Sequence, residues 1–348
     1  MTMNYETYLT LSTSINEEPA SAIQVTHDGN YLEELLYLFR DIQYIAKSDR
    51  DEFSAQYTPS ARYASLKPTA TGKRILLALK RLLSVNAAND ERREFHPTLR
   101  LFQRLAGQHN IQQHLTMTDS TPEAITPLAE RLNTFVRQFR SGLKTPSHKR
   151  QSSQYQRAAR KNLCGALRYT DALFEQHARL LALRVDLSYR NDTKATITAE
   201  LAHQHRQRFF KNLQAHRLFQ ACVGYIWKLE YGRYKGFHYH LLVFYDGTLV
   251  RQDVTLARLL GEYWRDVITA GAGHYFNCNA DKARYHFPGI GLLHYTDAPR
   301  RQGLNIAVRY LCKVDTYARL ALPNGARSFG RGEMVQPSAV RRGRPRAR

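Results

Sequence analysis

Apolar residues in the first 140 positions of the chain recur at helical spacing. The segments that show this spacing are 31–45, 72–83, 97–106 and a run that begins at Thr126-Pro127. Apolar residues three and four positions apart line one face of an α-helix, and proline suits the first helical position. No stretch in this half alternates convincingly between apolar and polar residues, as a half-buried strand would. We therefore predict an α-helical N-terminal domain over residues 1–145.

Residues 141–153 interrupt these stripes with polar and basic residues, together with glycine and proline. Segments of this composition between periodic stretches are typical of loops. We therefore predict a basic linker over residues 146–162.

Beyond the linker, runs of β-branched and aromatic residues alternate with helical stripes. Predicted strands cover 180–189, 222–230, 236–245 and part of 283–295, and predicted helices cover 198–218, 254–268 and 306–320. This order favours an α+β fold in which helices lie on one face of a central, mainly antiparallel sheet. We predict this domain over residues 163–325. A basic tail rich in arginine, glycine and proline follows over residues 326–348.

The predicted strand 236–245 carries two histidines, His238 and His240. Strand side chains alternate between faces, so both imidazoles point the same way. If a hairpin centred near Tyr234 joins this strand to the preceding one, Glu230 lies opposite His238 on the same face. Two imidazoles and a carboxylate suit Mn²⁺ better than Mg²⁺, although Mg²⁺ is a candidate too. A His-x-His pair alone is equally compatible with ordinary sheet surface.

The predicted helix 306–320 carries a candidate nucleophile. Tyr310, Lys313 and Tyr317 recur at helical spacing near one face. A phenol is a poor nucleophile at neutral pH, and a lysine one turn away would favour the phenolate or neutralise charge on a phosphate. The pair Tyr-x-x-Lys is common by chance, so its weight comes from lying downstream of the histidine strand.

The charge of the chain points to nucleic acid as the partner. The 348 residues include 51 Lys and Arg against 30 Asp and Glu, a net charge of +21. Such a surface attracts polyanions, and Lys or Arg contacts to phosphate release counterions. An anionic membrane surface is the competing partner, but no long basic amphipathic helix with an apolar stripe is visible. No apolar run of about 18 residues predicts a membrane span.

The cysteines and the first residues favour a cytoplasmic protein. Four cysteines lie far apart and form no CxxC pair, as expected for reduced thiols. The first residues lack the basic and apolar regions of a signal peptide.

The tail contains a Gly-Arg-Pro core with flanking arginines, namely Arg341, Arg342, Arg344 and Arg346. This pattern resembles an AT-hook, whose extended backbone lies in a narrow minor groove. A merely basic tail explains so short a motif as well. In both cases these arginines are the predicted DNA contacts of the tail.

The histidine strand and the tyrosine helix together resemble the motifs of HUH endonucleases. Segment 237–241 (FHYHL) is similar to their His-hydrophobe-His motif, and segment 310–313 (YLCK) is similar to their Tyr-x-x-Lys helix. Segment 183–188 occupies the place of their first apolar strand. Segments 227–232 (WKLEYG) and 309–313 (RYLCK) resemble most closely the inovirus-type replication initiators, including the YagK/YfjJ C-terminal domain of bacterial prophages.

The resemblance implies a DNA nicking and joining enzyme in a bacterial host. Tyr310 would attack a phosphate in single-stranded origin DNA and become joined to the 5′ phosphate. The released 3′-OH would prime rolling-circle replication of a phage, prophage or plasmid. His238, His240 and Glu230 would hold a divalent metal, and Lys313 would assist Tyr310. Initiators with two active tyrosines place them about one helical turn apart, whereas Tyr317 is two turns away, so we expect Tyr317 to serve packing.

Two other functions stay open at this point. An HUH-type transposase or small relaxase would use the same chemistry, and a DNA-binding regulator could keep the fold without it. The N-terminal helices could recognise the origin, mediate self-association or contact host replication machinery.

Overall fold

The computed structural model describes residues 27–57, 63–87, 93–111, 121–212, 216–232, 235–285, 287–313, 315, 317–322 and 326–334. Its N-terminal half is mainly helical, as predicted. The elements are α1 (His27–Ile45), β1 (Phe53–Tyr57), β2 (Ala64–Pro68), α2 (Ala70–Ala87), β3 (Arg93–Phe95), α3 (Pro97–Gln108) and α4 (Pro122–Lys144). Leu38, Leu79 and Phe135 are among the side chains of its fully buried core.

Three short strands in this half were not predicted. Strands β1 and β2 pair as an antiparallel hairpin. Strand β3 pairs with β9 (Ala318–Leu320), which comes from the other end of the chain. Ala318 therefore belongs to the N-terminal core, and the two halves share a small sheet.

The predicted basic linker, 146–162, is wrong, because these residues form the first half of a long helix. Helix α5 (Pro146–Gln176) begins with proline at its first position, and the hydroxyl of Thr145 accepts a hydrogen bond from the backbone N–H of His148. Both features are typical of helix starts. Tyr155, Ala159 and Leu163 are buried along one face. The polar and basic residues that suggested a loop form the opposite, solvent-facing side.

The predicted α+β fold is confirmed. The strands of the central sheet are β4 (Arg179–Tyr189), β5 (Cys222–Gly232), β6 (Gly236–Asp246), β7 (Gly273–Asn277), β8 (Gly291–His294) and β10 (Phe329–Arg331). They have the order β10-β5-β6-β4-β7, with β8 pairing with β4, and every pairing is antiparallel.

Helices cover both faces of this sheet, not one face as predicted. Helix α6 (Ala199–Lys211) and helix α7 (Asp253–Glu262), which continues as a π-helix, pack on the face that contains Leu241. Helix α5 and helix α8 (Ala298–Lys313) pack on the face that contains Leu242. The reason is visible in β6, which is apolar on both sides and needs cover on each.

None of the helices in the described ranges has the length and apolar character required to cross a membrane.

His96 should make folding sensitive to acid. The side chain is buried against Phe39 and Tyr155, and its Nδ1 accepts a hydrogen bond from the N–H of Thr98 at the start of α3. Burial, helped by the charge of His148, lowers the pKa of His96 from 6.5 to about 3. Between about pH 6.5 and pH 3 the unfolded chain therefore binds one more proton than the native state. The free energy of unfolding falls by about 1.4 kcal/mol for each pH unit through this range.

Urea unfolding at pH 6.5 and pH 5 tests this dependence. The native protein should lose about 2 kcal/mol more over this interval than a His96→Asn variant, because asparagine can still accept the capping hydrogen bond but does not titrate. Equal losses in the two proteins would contradict the assignment.

Candidate metal and tyrosine site

Neighbouring strands β5 and β6 place three candidate metal ligands on one face. In their register Glu230 pairs with His238 and Lys228 pairs with His240. Gly232 pairs with Gly236, which is the register that the predicted hairpin requires. Cross-strand partners share a face, and all three candidate ligands, Glu230, His238 and His240, are buried.

The three side chains come close enough to hold one metal ion. Each offers a ligand atom, and these atoms lie within 4.8 Å of one another. The Oε2 of Glu230 lies 3.8 Å from the Nε2 of His238 and 3.5 Å from the Nε2 of His240. Within the described part of the chain, this is the only such group of three or more His, Cys, Asp or Glu residues.

Each imidazole is fixed through its other nitrogen. The Nδ1 of His238 lies 3.0 Å from the carbonyl oxygen of Gly236, and the Nδ1 of His240 lies 2.8 Å from Oδ1 of Asp186 on β4. Gly236 has φ = +67°, a left-handed conformation that glycine adopts readily. With a proton on each Nδ1, both Nε2 atoms are free to bind a metal, and such outer contacts commonly orient histidine ligands.

Asp186 is a site residue that the sequence did not identify. Strand side chains alternate between faces, so Asp186 shares one face of β4 with Arg184 and Ser188, and this face is continuous with the one that carries His238 and His240. In the structure Asp186 pairs directly with His240 across β4 and β6. The contact depends on which strands are neighbours, and spacing along the chain does not give that order.

The electrostatics of the cluster favour a bound cation. Burial would raise the pKa values of Glu230 and Asp186, but the charge and hydrogen bonds of His240, together with the other cations nearby, outweigh burial and hold both pKa values well below their usual range. Burial would lower the pKa of His240, and the two carboxylates raise it to about 9. Burial and the charge of His240 lower the pKa of His238. A divalent cation in place of the His240 proton would neutralise both carboxylates.

The donor set fits a divalent metal. Two neutral imidazole nitrogens and one ionised carboxylate are ligands that Mn²⁺ and similar transition metals accept. Glu230, His238 and His240 would hold the ion, and Asp186 and the Gly236 carbonyl would orient the rings. The three predicted ligands therefore lie close enough together to hold a metal ion, and the metal itself stays a prediction.

Tyr310 lies beside this cluster, in the last turn of α8. Its ring centroid is 6.4 Å from that of His240, and the guanidinium carbon of Arg184 is 5.1 Å from the Tyr310 ring centroid. Burial raises the pKa of Tyr310 to about 12, the charge of Glu230 adds to this effect and Arg184 opposes it. The phenol is therefore protonated at neutral pH, and it would need a general base, a metal or a nearby positive charge to act as a nucleophile.

Arg184 supplies a permanent positive charge at this point and was also missed from the sequence. Its side chain is nearly buried, and its Nε lies 3.5 Å from Oδ1 of Asp186. Burial opposes the charged form, but the Asp186 carboxylate raises the pKa of Arg184 above its usual range. Arg184 thus lies between the carboxylate that orients His240 and the ring of Tyr310.

A buried ion pair holds the end of α8 against the sheet. The Nζ of Lys228 donates hydrogen bonds to Oδ1 of Asp315, just after the helix, and to the hydroxyl of Ser328 at 3.3 Å. Both Lys228 and Asp315 are buried. Because Lys228 shares β5 with Glu230, this pair fixes the tyrosine helix relative to the candidate ligands.

The remaining predicted site residues, Tyr317, Lys313 and the tail arginines, are not part of the described cluster. Helix α8 covers Ala298–Lys313 and not 306–320, so Tyr317 lies beyond it. Tyr317 packs edge-on against Phe39, with ring centroids 5.0 Å apart, beside the N-terminal core, in agreement with the packing role we expected. The side chain of Lys313 and the tail arginines Arg341, Arg342, Arg344 and Arg346 lie outside the described residues.

Replacing Asp186 by asparagine should weaken metal binding. The variant keeps a side chain of similar shape but loses the charge that supports His240, and loss of such outer contacts typically costs about 10–100-fold in metal affinity. Titration calorimetry with Mn²⁺ measures the change. Asp192→Asn, which removes an exposed carboxylate paired with Arg190, is the matched control and should bind as the native protein does. Equal affinities for the two variants would exclude the role given to Asp186.

A family comparison places these residues in a common domain. The model of the YagK/YfjJ C-terminal domain matches residues 143–332, more than half of the chain. The chain belongs to this family. The YagK/YfjJ C-terminal domain includes α5, the whole central sheet and α8, and therefore every residue of the site described above. Comparisons with curated proteins and with solved structures give no match.

Proposed function

We propose that this protein is a metal-dependent DNA nicking and joining enzyme of the HUH type. It would start rolling-circle replication of a phage, prophage or plasmid, as inovirus-type initiators do. The observation that carries the proposal is the position of Tyr310 beside the Glu230, His238 and His240 cluster. Membership of the YagK/YfjJ C-terminal domain family and the resemblance of segments 237–241 and 310–313 to HUH motifs support it.

The proposed reaction is a transesterification that needs no oxidant and no water. The phenolic oxygen of Tyr310 forms a bond to the phosphorus, and the bond between phosphorus and the 3′ oxygen breaks. The phenol gives up its proton, and the leaving 3′ oxygen takes one up to become a 3′-OH. One phosphodiester replaces another, so the energy of the bond is kept for a second transfer that reseals the strand.

Side chains around Tyr310 have defined parts in this step. Arg184 opposes the high pKa of the phenol and would stabilise the negative charge that develops on its oxygen. Asp186 keeps His240 oriented and balances the charge of Arg184. A divalent metal, when bound, would polarise the scissile phosphate.

Single-stranded origin DNA is the proposed substrate. The net charge of +21 favours a nucleic acid. The phosphate must also reach Tyr310, which α8 holds against the sheet. A flexible single strand can bend into such a site, whereas a regular duplex is too stiff to bend sharply over a few base pairs.

Covalent capture tests the proposal. The full-length protein is incubated with Mn²⁺ and single-stranded oligonucleotides that tile the DNA flanking its gene. We expect one oligonucleotide to give a protein–DNA adduct that survives denaturation, together with a free 3′ end that a polymerase extends. EDTA should prevent both products. Specific DNA binding without an adduct on any tile would instead favour a non-catalytic regulator.

A further inference from the structure

The exposed side of α5 carries a row of cations. Arg150, Arg157, Lys161 and Arg168 are spaced by seven, four and seven residues, which places them on one face of the helix. All four side chains are exposed. At a rise of about 1.5 Å per residue the row is roughly 27 Å long. We call these four residues the α5 basic stripe.

From Pro146 to Thr170, α5 carries no acidic group that would balance this charge. The acidic residues of the helix, Asp171 and Glu175, lie beyond the stripe, and Asp171 is paired with Arg301. Among the described residues, none of the four stripe side chains forms an ion pair, whereas other exposed cations do so with nearby carboxylates. Like charges at helical spacing repel one another and destabilise a helix. A polyanion bound along the stripe would remove this repulsion.

The stripe lies next to the helix that carries Tyr310. Leu163 and Ala166 on the buried side of α5 pack in the same apolar cluster as Val308 and Leu311 of α8. The two helices also contact each other directly. Anything that binds along the exposed side of α5 would be held within reach of the tyrosine site.

The composition of the stripe favours binding to the phosphate backbone of a duplex over binding to bases. Between the cations, the same face presents Gln154 and Cys164 and no aromatic side chain. Binding of single strands relies on aromatic side chains that stack on bases. A straight row of cations with no stacking partner suits the regular phosphates of double-stranded DNA.

We propose that the α5 basic stripe binds the phosphate backbone of double-stranded DNA. The binding itself is independent of the proposed nicking reaction. Only its purpose, to hold the duplex beside the single strand at the tyrosine site, rests on that proposed function.

Duplex affinity as a function of salt tests the stripe. The test variant is Arg150→Gln, Arg157→Gln, Lys161→Gln and Arg168→Gln combined. The matched control combines Arg137→Gln, Lys144→Gln, Arg190→Gln and Arg265→Gln, four exposed cations that are already paired with carboxylates. Both variants remove the same formal charge. Binding to a duplex of about 30 base pairs is measured in EDTA, so that no strand is cut.

Each phosphate contact contributes about 0.9 to the slope of log K against log salt. The stripe variant should therefore lose about 3 to 4 from the slope and on the order of 100-fold in affinity at low salt, while the control keeps most of both. Thermal melting confirms that the variants are folded. Equal slopes for the stripe and control variants would overturn the proposal. An equal loss of affinity for single-stranded DNA of the same length would overturn the preference for a duplex.

Discussion

Replacing Tyr310 by phenylalanine is expected to abolish covalent attachment to DNA. The variant loses only the hydroxyl and keeps the ring that lies between Arg184 and His240. Loss of a nucleophile typically costs on the order of 1000-fold or more in rate, so no adduct should be detectable on denaturing gels. Binding of the same single-stranded DNA should change by less than about threefold, because the positive charge around the site is intact.

Tyr317→Phe is the matched control for this experiment. It removes a hydroxyl from the next tyrosine along the chain, one that packs near Phe39 and away from the cluster. The control should form the adduct at the native rate. An adduct that persists in Tyr310→Phe and disappears in Tyr317→Phe would overturn the assignment of the nucleophile.

Removing both histidines of the cluster should eliminate metal binding and nicking together. A His238→Ala, His240→Ala variant retains a single candidate ligand, Glu230. We expect Mn²⁺ affinity to fall by at least about 1000-fold, beyond the effect of losing an outer contact. Titration calorimetry and the adduct assay report the two losses separately.

A second double variant, which also replaces two histidines, is the matched control for this experiment. His203→Ala combined with His294→Ala removes two histidines outside the cluster and should leave metal affinity and adduct formation unchanged. If the cluster variant still formed adduct at the native rate with Mn²⁺, the three residues would not hold the metal that supports the reaction.

The arrangement of the candidate metal ligands follows from the sequence because strand geometry is simple. Side chains alternate with period two, and a tight hairpin fixes which residues oppose each other. These rules place Glu230 opposite His238, as the structure has them. Asp186 and Arg184 could not be added in this way, because β4 and β6 are neighbours in the sheet but are separated along the chain by β5.

Two wrong predictions, the linker over 146–162 and the helix over 306–320, have physical causes. The basic residues of 146–162 resemble a loop in composition, but their apolar neighbours at helical spacing are buried and make them one side of α5. The apolar spacing after Tyr310 continues past the end of α8, because the chain there enters the N-terminal core and β9 pairs with β3. Local periodicity does not distinguish a continuing helix from a segment buried by distant contacts.

The most direct test of the central claim is the identity of the residue joined to DNA. Trypsin cleaves after Arg309, Lys313 and Arg319, so Tyr310 and Tyr317 fall in separate peptides, 310–313 and 314–319. After nuclease trimming of the adduct, mass spectrometry should find the added nucleotide on peptide 310–313, at Tyr310. A nucleotide on Tyr317, or on any other residue, would contradict the proposed role of Tyr310.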